Sequence, residues 1–285
     1  SRDIQRAVEE SEKRAAAKLL NRTIVHSIPL EYRVDGTRVY GKAEGLQGAK
    51  LAVDTLLITM IGQHHDALDE AVESAGIEVE GFMASPIAAS LVVLTKAQKT
   101  AGVLLANIGA ETLSVIIYEN DIPISTKVFA AGSSDITHAI ALAFQIPMHE
   151  AEQLKRGGVS GSEVPNKKMQ TIVNNKLKEA FTLINSHLKS VGRQRLLPAG
   201  IVITGGGSGL IGAPEIARAV LKLPSQVSQV GSLPRTASVD ATWAVAFGLC
   251  RWGFMDEAGR EKPTLGGVFA DGWESLKKGL GSFLP

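Results

Sequence analysis

Residues 201–207 read IVITGGG, and the helix-forming run PEIARAVL follows at residues 214–221. Residues 200–204, uncharged and ending in four β-branched side chains, mark a short buried strand. The glycines after it let the chain turn sharply and let a ligand lie against bare backbone, while a helix start adds amide donors and a favourable dipole. A strand, a glycine turn and a helix in that order point to a nucleotide-type α/β domain. The stretch also matches G-x-G-x-x-G at Gly207, Gly209 and Gly212. A dinucleotide site would need an acidic residue about 20 positions further on to hold the ribose. Glu215 lies inside the helix and the next carboxylate is Asp240, so the dinucleotide reading fails. No G-x-x-x-x-G-K-[ST] loop is present. A glycine turn that serves only the fold, with no ligand, stays open as the alternative.

Working outward, strand-like runs occupy residues 102–108, 113–118 and 123–130, with Asn120-Asp121 as the turn between the last two. A helix is predicted over 134–144, a helix over 214–221 and a short strand over 227–230. The order is β-β-β-α, an insertion, then β-α-β-α. Three antiparallel strands followed by strand–helix alternation form the ribonuclease-H-like core of the actin superfold, so the fold class expected is α/β and actin-like. The insertion, 146–198, is helical. One helix starts near Met148 and stops at Gly157-Gly158; a second spans 165–191. On the second, Met169, Ile172, Val173, Leu177, Phe181, Ile184, Leu188 and Val191 step by three or four along one face. Ahead of the core, a helix over 3–20, strands over 22–34 and 51–60, a helix over 65–75 and a short strand over 78–82 make a small α/β unit. Ser85-Pro86 starts a helix reaching Thr95, and another is predicted over 239–252.

The 285 residues are 45% hydrophobic and 21% charged, an ordinary globular composition. Thirty basic against 29 acidic residues leave a net charge of +1, which lacks the basic excess of a nucleic-acid binder. Cys250 is the single cysteine, so no intrachain disulfide can form. The charged first residues are unlike a signal peptide, and no apolar run is long enough to span a bilayer. Because the chain starts at Ser1 without Met, it is expected to be processed or truncated. No nucleophile–base pair emerges, and His64-His65 lacks further ligands at metal spacing, so neither a catalytic nor a metal site is expected.

Five segments carry a family resemblance: IVHSIPLEYRVDG (24–36), GLQGAKL (45–51), GFMASPIA (81–88), AEQLK (151–155) and AGIVITGGGSGLIGAPEIA (199–217). In order and spacing they resemble the FtsA family of bacterial cell-division proteins, which are actin homologues. The resemblance implies a family-specific 1C (SHS2-type) subdomain over 1–80. It implies subdomain 2A over 81–145 and 199–236, subdomain 2B over 146–198, and a helix over 237–253 returning toward a missing subdomain 1A. It also implies that ATP, with or without Mg²⁺, lies in a cleft. Gly205, Gly206, Gly207 and Ser208 would line the adenosine side, with Glu152 and Lys155 reaching the adenine and ribose. Glu152 and Lys155 are three apart, hence on one helical face; a plain solvated ion pair is the alternative.

One phosphate loop departs from the family pattern Asp-Ile-Gly-Gly-Gly-Thr-Thr-Asp. Here it reads Asn107-Ile108-Gly109-Ala110-Glu111-Thr112-Leu113-Ser114. Asn107 lacks the carboxylate that would hold a hydrated Mg²⁺, and an inward Glu111 would repel phosphate. Gly109 and Thr112 survive. The first phosphate loop would lie ahead of Ser1. The expected activity is therefore weak ATP turnover or none.

At the other end, residues 254–267 (FMDEAGREKPTLGG) read as a linker, and 268–285 as an amphipathic helix. Phe269, Trp273, Leu276, Leu280, Phe283 and Leu284 form one stripe, with Lys277 and Lys278 away from it. Such a stripe suits an in-plane membrane helix or a terminal helix docked on its own core; the resemblance implies the first. A protein of this family is expected to tether FtsZ polymers to the cytoplasmic membrane at the septum, as a peripheral protein. The expected partners are the FtsZ tail (through 2B), further copies in actin-like protofilaments, inner-membrane lipid and later division proteins, with no nucleic acid. The rival functions are an FtsA-related adaptor such as the pilus-assembly protein PilM, and a sugar kinase of the same superfold.

Overall fold

Chain direction reverses first at Asp35-Gly36, where both residues take positive φ (49° and 83°) and close a two-residue hairpin. In the computed structural model, which describes residues 2–39, 43–157, 165–229 and 241–258, the chain divides into two compact units, Ser1–Ala84 and Ser85–Glu257. The first holds α1 (Arg2–Ala16), β1 (Arg22–Val34), β2 (Thr37–Val39), β3 (Leu51–Ile61) and α2 (Gly62–Glu73). Its antiparallel sheet has the order β2-β1-β3. The pairing runs from Arg22↔Ile61 to Val34↔Leu51 and shifts register at two points along β1. The Asp35 carboxylate accepts from the Ala49 and Lys50 amides at 3.0 and 2.8 Å, which fixes the entry into β3.

The strand expected over 78–82 does not form. Glu78 and Glu80 are exposed on either side of Val79, and no sheet edge supplies ladder partners to them. Side chains hold this segment instead. The Ala84 amide donates to His26 Nε2 at 3.0 Å, and the Phe82 ring lies 4.2 Å from that of His65. Burial lowers His26 to about 4, so it stays a neutral acceptor.

The second unit contains α3 (Ser85–Val93), α4 (Lys96–Ala101), β4 (Val103–Ile108), β5 (Leu113–Glu119), β6 (Ile122–Phe129) and α5 (Ser133–Phe144). The insertion follows as α6 (Met148–Lys155) and α7 (Asn166–Ser190). Next come β7 (Ile201–Thr204), α8 (Ala213–Leu221), β8 (Ser225–Val227) and α9 (Ala244–Ala258). The sheet order is β6-β5-β4-β7-β8, antiparallel among β4, β5 and β6 and parallel from β4 through β7 to β8. This is the actin-like, ribonuclease-H-like arrangement expected from the element order.

Burial follows from composition. Strands β4 (VLLANI) and β7 (IVIT) are apolar on both faces and occupy the middle of the sheet. One face packs Leu104, Ala106 and Ile108 against Ile136 and Ile140 of α5, Leu177, Phe181 and Ile184 of α7, and Ala217 and Leu221 of α8. The predicted stripe on α7 is therefore a core stripe, and the insertion helix shares the core of the sheet. Another apolar layer is α3, in which every residue from Pro86 to Leu91 is buried. Its Ser90 hydroxyl lies 2.7 Å from the Tyr118 hydroxyl of β5.

Several boundaries move from their expected places. Thr95, expected to end one helix, caps the start of another: its side chain accepts from the Gln98 amide while Gln98 bonds back, a capping box. Strand β8 lies at 225–227, starting two residues before the expected 227 because Ile201 pairs with Ser225, and residue 230 lies outside the described residues. The last helix runs to Ala258, so the linker expected from Phe254 begins in helix. The expected membrane helix, with Phe269, Trp273, Leu276, Lys277, Lys278, Leu280, Phe283 and Leu284, lies outside the described residues.

Candidate functional site

Parallel pairing of Asn107 with Thr204 brings the carboxyl ends of β4 and β7 to the same edge of the sheet. Open α/β sheets offer ligand crevices at that edge. Gly205 leaves β7 at φ +86°, a conformation side chains rarely take, and lies hard against β4. A β-carbon there would stand 2.2 Å from Asn107 Oδ1 and 2.6 Å from the Ile108 carbonyl oxygen. Gly207 is as tight, with Ile108 Cγ2 at 2.4 Å from such a carbon.

Gly206 and Gly209 are open by contrast. Gly209 has nothing within 4 Å of that position, and Gly206 has only Thr242 Oγ1 at 3.8 Å. The turn thus packs on β4 through two glycines and presents bare backbone through the other two. Residues Gly206–Gly209 form one 3₁₀ turn, and α8 starts only at Ala213. Ser208 is buried, and its amide donates to the Gly205 carbonyl at 3.0 Å. That amide is spent on the turn. A second support comes from the 3₁₀ turn Ala241–Trp243, whose Ala241 carbonyl accepts from the Gly205 amide at 3.3 Å.

The β4–β5 turn lies beside this structure. It closes through the Gly109 amide donating to the Thr112 carbonyl at 2.8 Å. Its Gly109 and Ala110 carbonyls each accept at 2.9 Å, from the Ser133 and Ser134 amides at the start of α5. Ala110, Glu111 and Thr112 are exposed.

Glu152 and Lys155 are not a solvated pair. Lys155 Nζ donates to Glu152 Oε2 at 2.6 Å, to Thr137 Oγ1 at 2.9 Å and to the Ser133 carbonyl at 3.1 Å. Thr137 donates in turn to Glu152 Oε2 at 2.6 Å, and Arg156 donates to Glu152 Oε1 at 2.8 Å. The Lys155 side chain is only 7% exposed. Burial alone would push the Glu152 carboxyl up, but the bonds from Lys155, Thr137 and Arg156 outweigh it and lower it to about 2. The network ties α6 to α5.

Ser133 joins the pieces, because its amide holds Gly109 and its carbonyl holds Lys155. Two groups of expected residues result. Asn107 meets Gly205, while Gly109, Thr112, Glu152 and Lys155 connect through Ser133. Sequence reasoning missed Ser133, Thr137 and Thr242 as neighbours of the site. Thr137 carried a faint signal, a polar residue in the apolar helix sequence SSDITHAIALAF.

The backbone at Gly206 and Gly209 is open to a ligand. A hydrated Mg²⁺ does not fit at the end of β4, where Asn107 is a neutral amide already packed on Gly205. Among the described residues no helix is long and apolar enough to cross a membrane.

Comparison with known proteins adds a family. A model described as "Cell division protein FtsA" matches residues 104–248, and one described as "SHS2 domain inserted in FTSA" matches residues 1–59. The cell division protein FtsA of Pseudomonas aeruginosa is 24% identical over 279 residues, covering 90% of this chain and 66% of its own length. That of Borreliella burgdorferi is 25% identical over 271 residues, covering 87% and 65%. That of Buchnera aphidicola subsp. Baizongia pistaciae is 30% identical over 232 residues, covering 72% and 55%. The chain therefore spans between about half and two thirds of the length of these relatives. Among solved structures, a PilM-PilN type IV pilus biogenesis complex aligns with a TM-score of 0.67 at 20% identity, covering 88% of this chain and 72% of that one. MreB5 of Spiroplasma citri bound to ADP aligns with a TM-score of 0.59 at 14% identity, covering 72% and 69%. At such identities these two likenesses speak to the fold alone.

Proposed function

The chain belongs to the FtsA family of bacterial cell-division proteins, and from that premise we propose that it is an actin-like scaffold tethering FtsZ polymers to the cytoplasmic membrane at the division septum. The observation that carries the proposal is the match of both units in one chain, an SHS2-type segment and an FtsA-type core. In this reading residues 1–80 act as subdomain 1C, 81–145 with 199–236 as 2A, and 146–198 as the 2B element that takes the FtsZ tail. The stripe from Phe269 to Leu284 is the anchor. A single amphipathic helix binds lipid weakly, and many copies along one polymer convert that weakness into avidity. An adenine nucleotide rests on the glycine turn and tunes self-association along protofilaments. The role is linkage, with ATP turnover weak or absent.

Two measurements test it. An FtsZ tail peptide on beads should retain the protein; failure to retain it favours an adaptor of another assembly. Liposomes of inner-membrane composition should co-sediment the full chain but not Trp273→Glu. Equal pelleting of both would reject the anchor.

A further inference from the structure

We propose that the open edge of β3, in the first unit, docks a second copy of this chain: two β3 strands pair antiparallel about a two-fold axis at Leu57 and join two three-stranded sheets into one continuous sheet. The proposal goes beyond the tethering role above and does not depend on nucleotide.

A strand at a sheet edge offers unpaired amides and carbonyls to any other strand, and proteins blunt such edges with short length, proline, lysine or a bulge. The two described sheets have four edge strands, β2 and β3 in one and β6 and β8 in the other. Strands β2 and β8 are three residues each. Strand β6 carries Pro123 and the exposed Lys127. By contrast β3, LAVDTLLITMI, runs for 11 residues without proline or lysine. Its register shifts against β1 skip Val25 and Leu30 of β1 and leave β3 itself unbulged. Its single charge, Asp54, accepts from Arg33 of β1 at 3.1 Å.

The two ends of β3 fix where its backbone groups point. The Lys50 carbonyl accepts from the Asp35 amide, and the Gly62 amide donates to the Asn21 carbonyl, both toward β1. In an antiparallel ladder the two groups of one residue point the same way and the direction alternates along the strand. Even-numbered residues of β3 therefore face β1, and Val53, Thr55, Leu57, Thr59 and Ile61 face the open side. Among the described residues the amides of those five have no hydrogen-bond partner. At Thr59 the carbonyl is engaged by Arg22 Nη2 at 3.2 Å, and a carbonyl oxygen has a second lone pair.

Strand β3 is also its own complement. With Leu57 facing Leu57, the outward residues pair Thr55 with Thr59 and Val53 with Ile61, and each pair exchanges both backbone bonds. The alternate residues bring Leu56 opposite Ile58 and Asp54 opposite Met60, so no charge meets its like. Thr55 Oγ1 is buried with no hydrogen-bond partner, whereas Thr59 Oγ1 accepts from Arg22 Nε at 2.8 Å and keeps its own hydrogen to donate. Facing threonines supply the cross-strand hydroxyl bond that Thr55 lacks.

The test combines sedimentation equilibrium of the full chain with cysteine crosslinking. The wild type should pass from one chain to two as concentration rises. Leu57→Pro removes an amide that the single chain does not use; it should keep the circular dichroism of the wild type and weaken the dimer about tenfold or more. With the exposed Cys250 replaced (Cys250→Ser), Leu57→Cys should oxidise to a linked dimer, because facing residues of an antiparallel pair lie about 5.5 Å apart at Cα, and Ala52→Cys should not. A wild-type chain that stays monomeric at every concentration would overturn the proposal and leave the edge to an extended segment of another protein. So would a dimer that Leu57→Pro leaves intact, or one that Leu57→Cys fails to link. If Leu57→Pro does not fold, the two cysteine variants still decide.

Discussion

Gly248 of α9 and Ala88 of α3 meet backbone to backbone: a β-carbon on Gly248 would stand 1.9 Å from the Ala88 carbonyl oxygen. One turn further along α9, Arg251 donates to the Leu91 carbonyl. The crossing exists because neither position carries a side chain larger than methyl.

This contact gives a prediction whose sign is diagnostic. On helix propensity alone, Gly248→Ala should stabilise by about 1 kcal/mol. Against a carbonyl oxygen at that distance the added methyl must push α9 away, and overpacking costs about 1–3 kcal/mol. The expected result is a lower Tm for Gly248→Ala and a lower one still for Gly248→Val. A raised Tm for the alanine variant would show that the helices do not cross this closely.

The glycine turn can be tested through a pair. Gly207→Ala would place its methyl 2.4 Å from Ile108 Cγ2, and Ile108 is buried. Ile108→Ala alone should cost about 2–5 kcal/mol as a core truncation. The truncation also makes room for the new methyl, so the double variant should lose less than the two single losses combined, by at least about 0.5 kcal/mol. Urea unfolding of the four proteins measures the coupling. Strict additivity would mean that the turn does not rest on Ile108.

Stability should rise with pH above neutrality because of Lys99. Burial depresses this ammonium from the ordinary 10.5 to about 7; nearby Asp121 opposes the effect and Arg251 adds to it. The side chain lies over the Tyr118 ring at 4.8 Å. In the unfolded chain Lys99 holds its proton up to about 10.5, whereas the folded chain releases it near 7. Between those values the unfolded state binds more protons, so raising the pH favours the native state. Thermal melts at pH 7 and 9 should show a higher Tm at pH 9 for the wild type and a smaller rise for Lys99→Met. Equal rises in both proteins would remove Lys99 from the explanation.

The sheet was legible in the sequence because its signals are strong and local. Uncharged runs such as VLLANI and IVIT have only one sensible place, the middle of a covered sheet, and Asn120-Asp121 takes the positive φ its residue types allow. The stripe on α7 was equally plain. The strand expected over 78–82 failed because alternation states a preference and not a partner. Helix α4 escaped notice because its six residues, KAQKTA, carry no apolar period; only the capping box at Thr95 and Gln98 announces it. At the site, the sequence named Asn107, Gly205, Glu152 and Lys155 but could not show that the donors of Lys155 are consumed. That depends on Ser133 and Thr137, which come from another helix. Satisfaction of a hydrogen-bonding group is a property of the assembled neighbourhood, and spacing along the chain does not encode it.

Parallel pairing of β7 with β4 has a consequence for the order of assembly. Strands β4, β5 and β6 are joined by short turns and can pair as soon as they are made, whereas Leu104 must wait for Ile201, about a hundred residues later, before β7 docks. Pulse-labelled hydrogen exchange during refolding should therefore protect the β4–β6 amides before those of β7, and simultaneous protection would contradict this order. Because Gly205 and Gly207 lie against β4, the proposed nucleotide surface is completed only when that late closure succeeds. A ligand resting there would slow unfolding by holding the last-formed seam shut, and would recognise only chains that had finished folding.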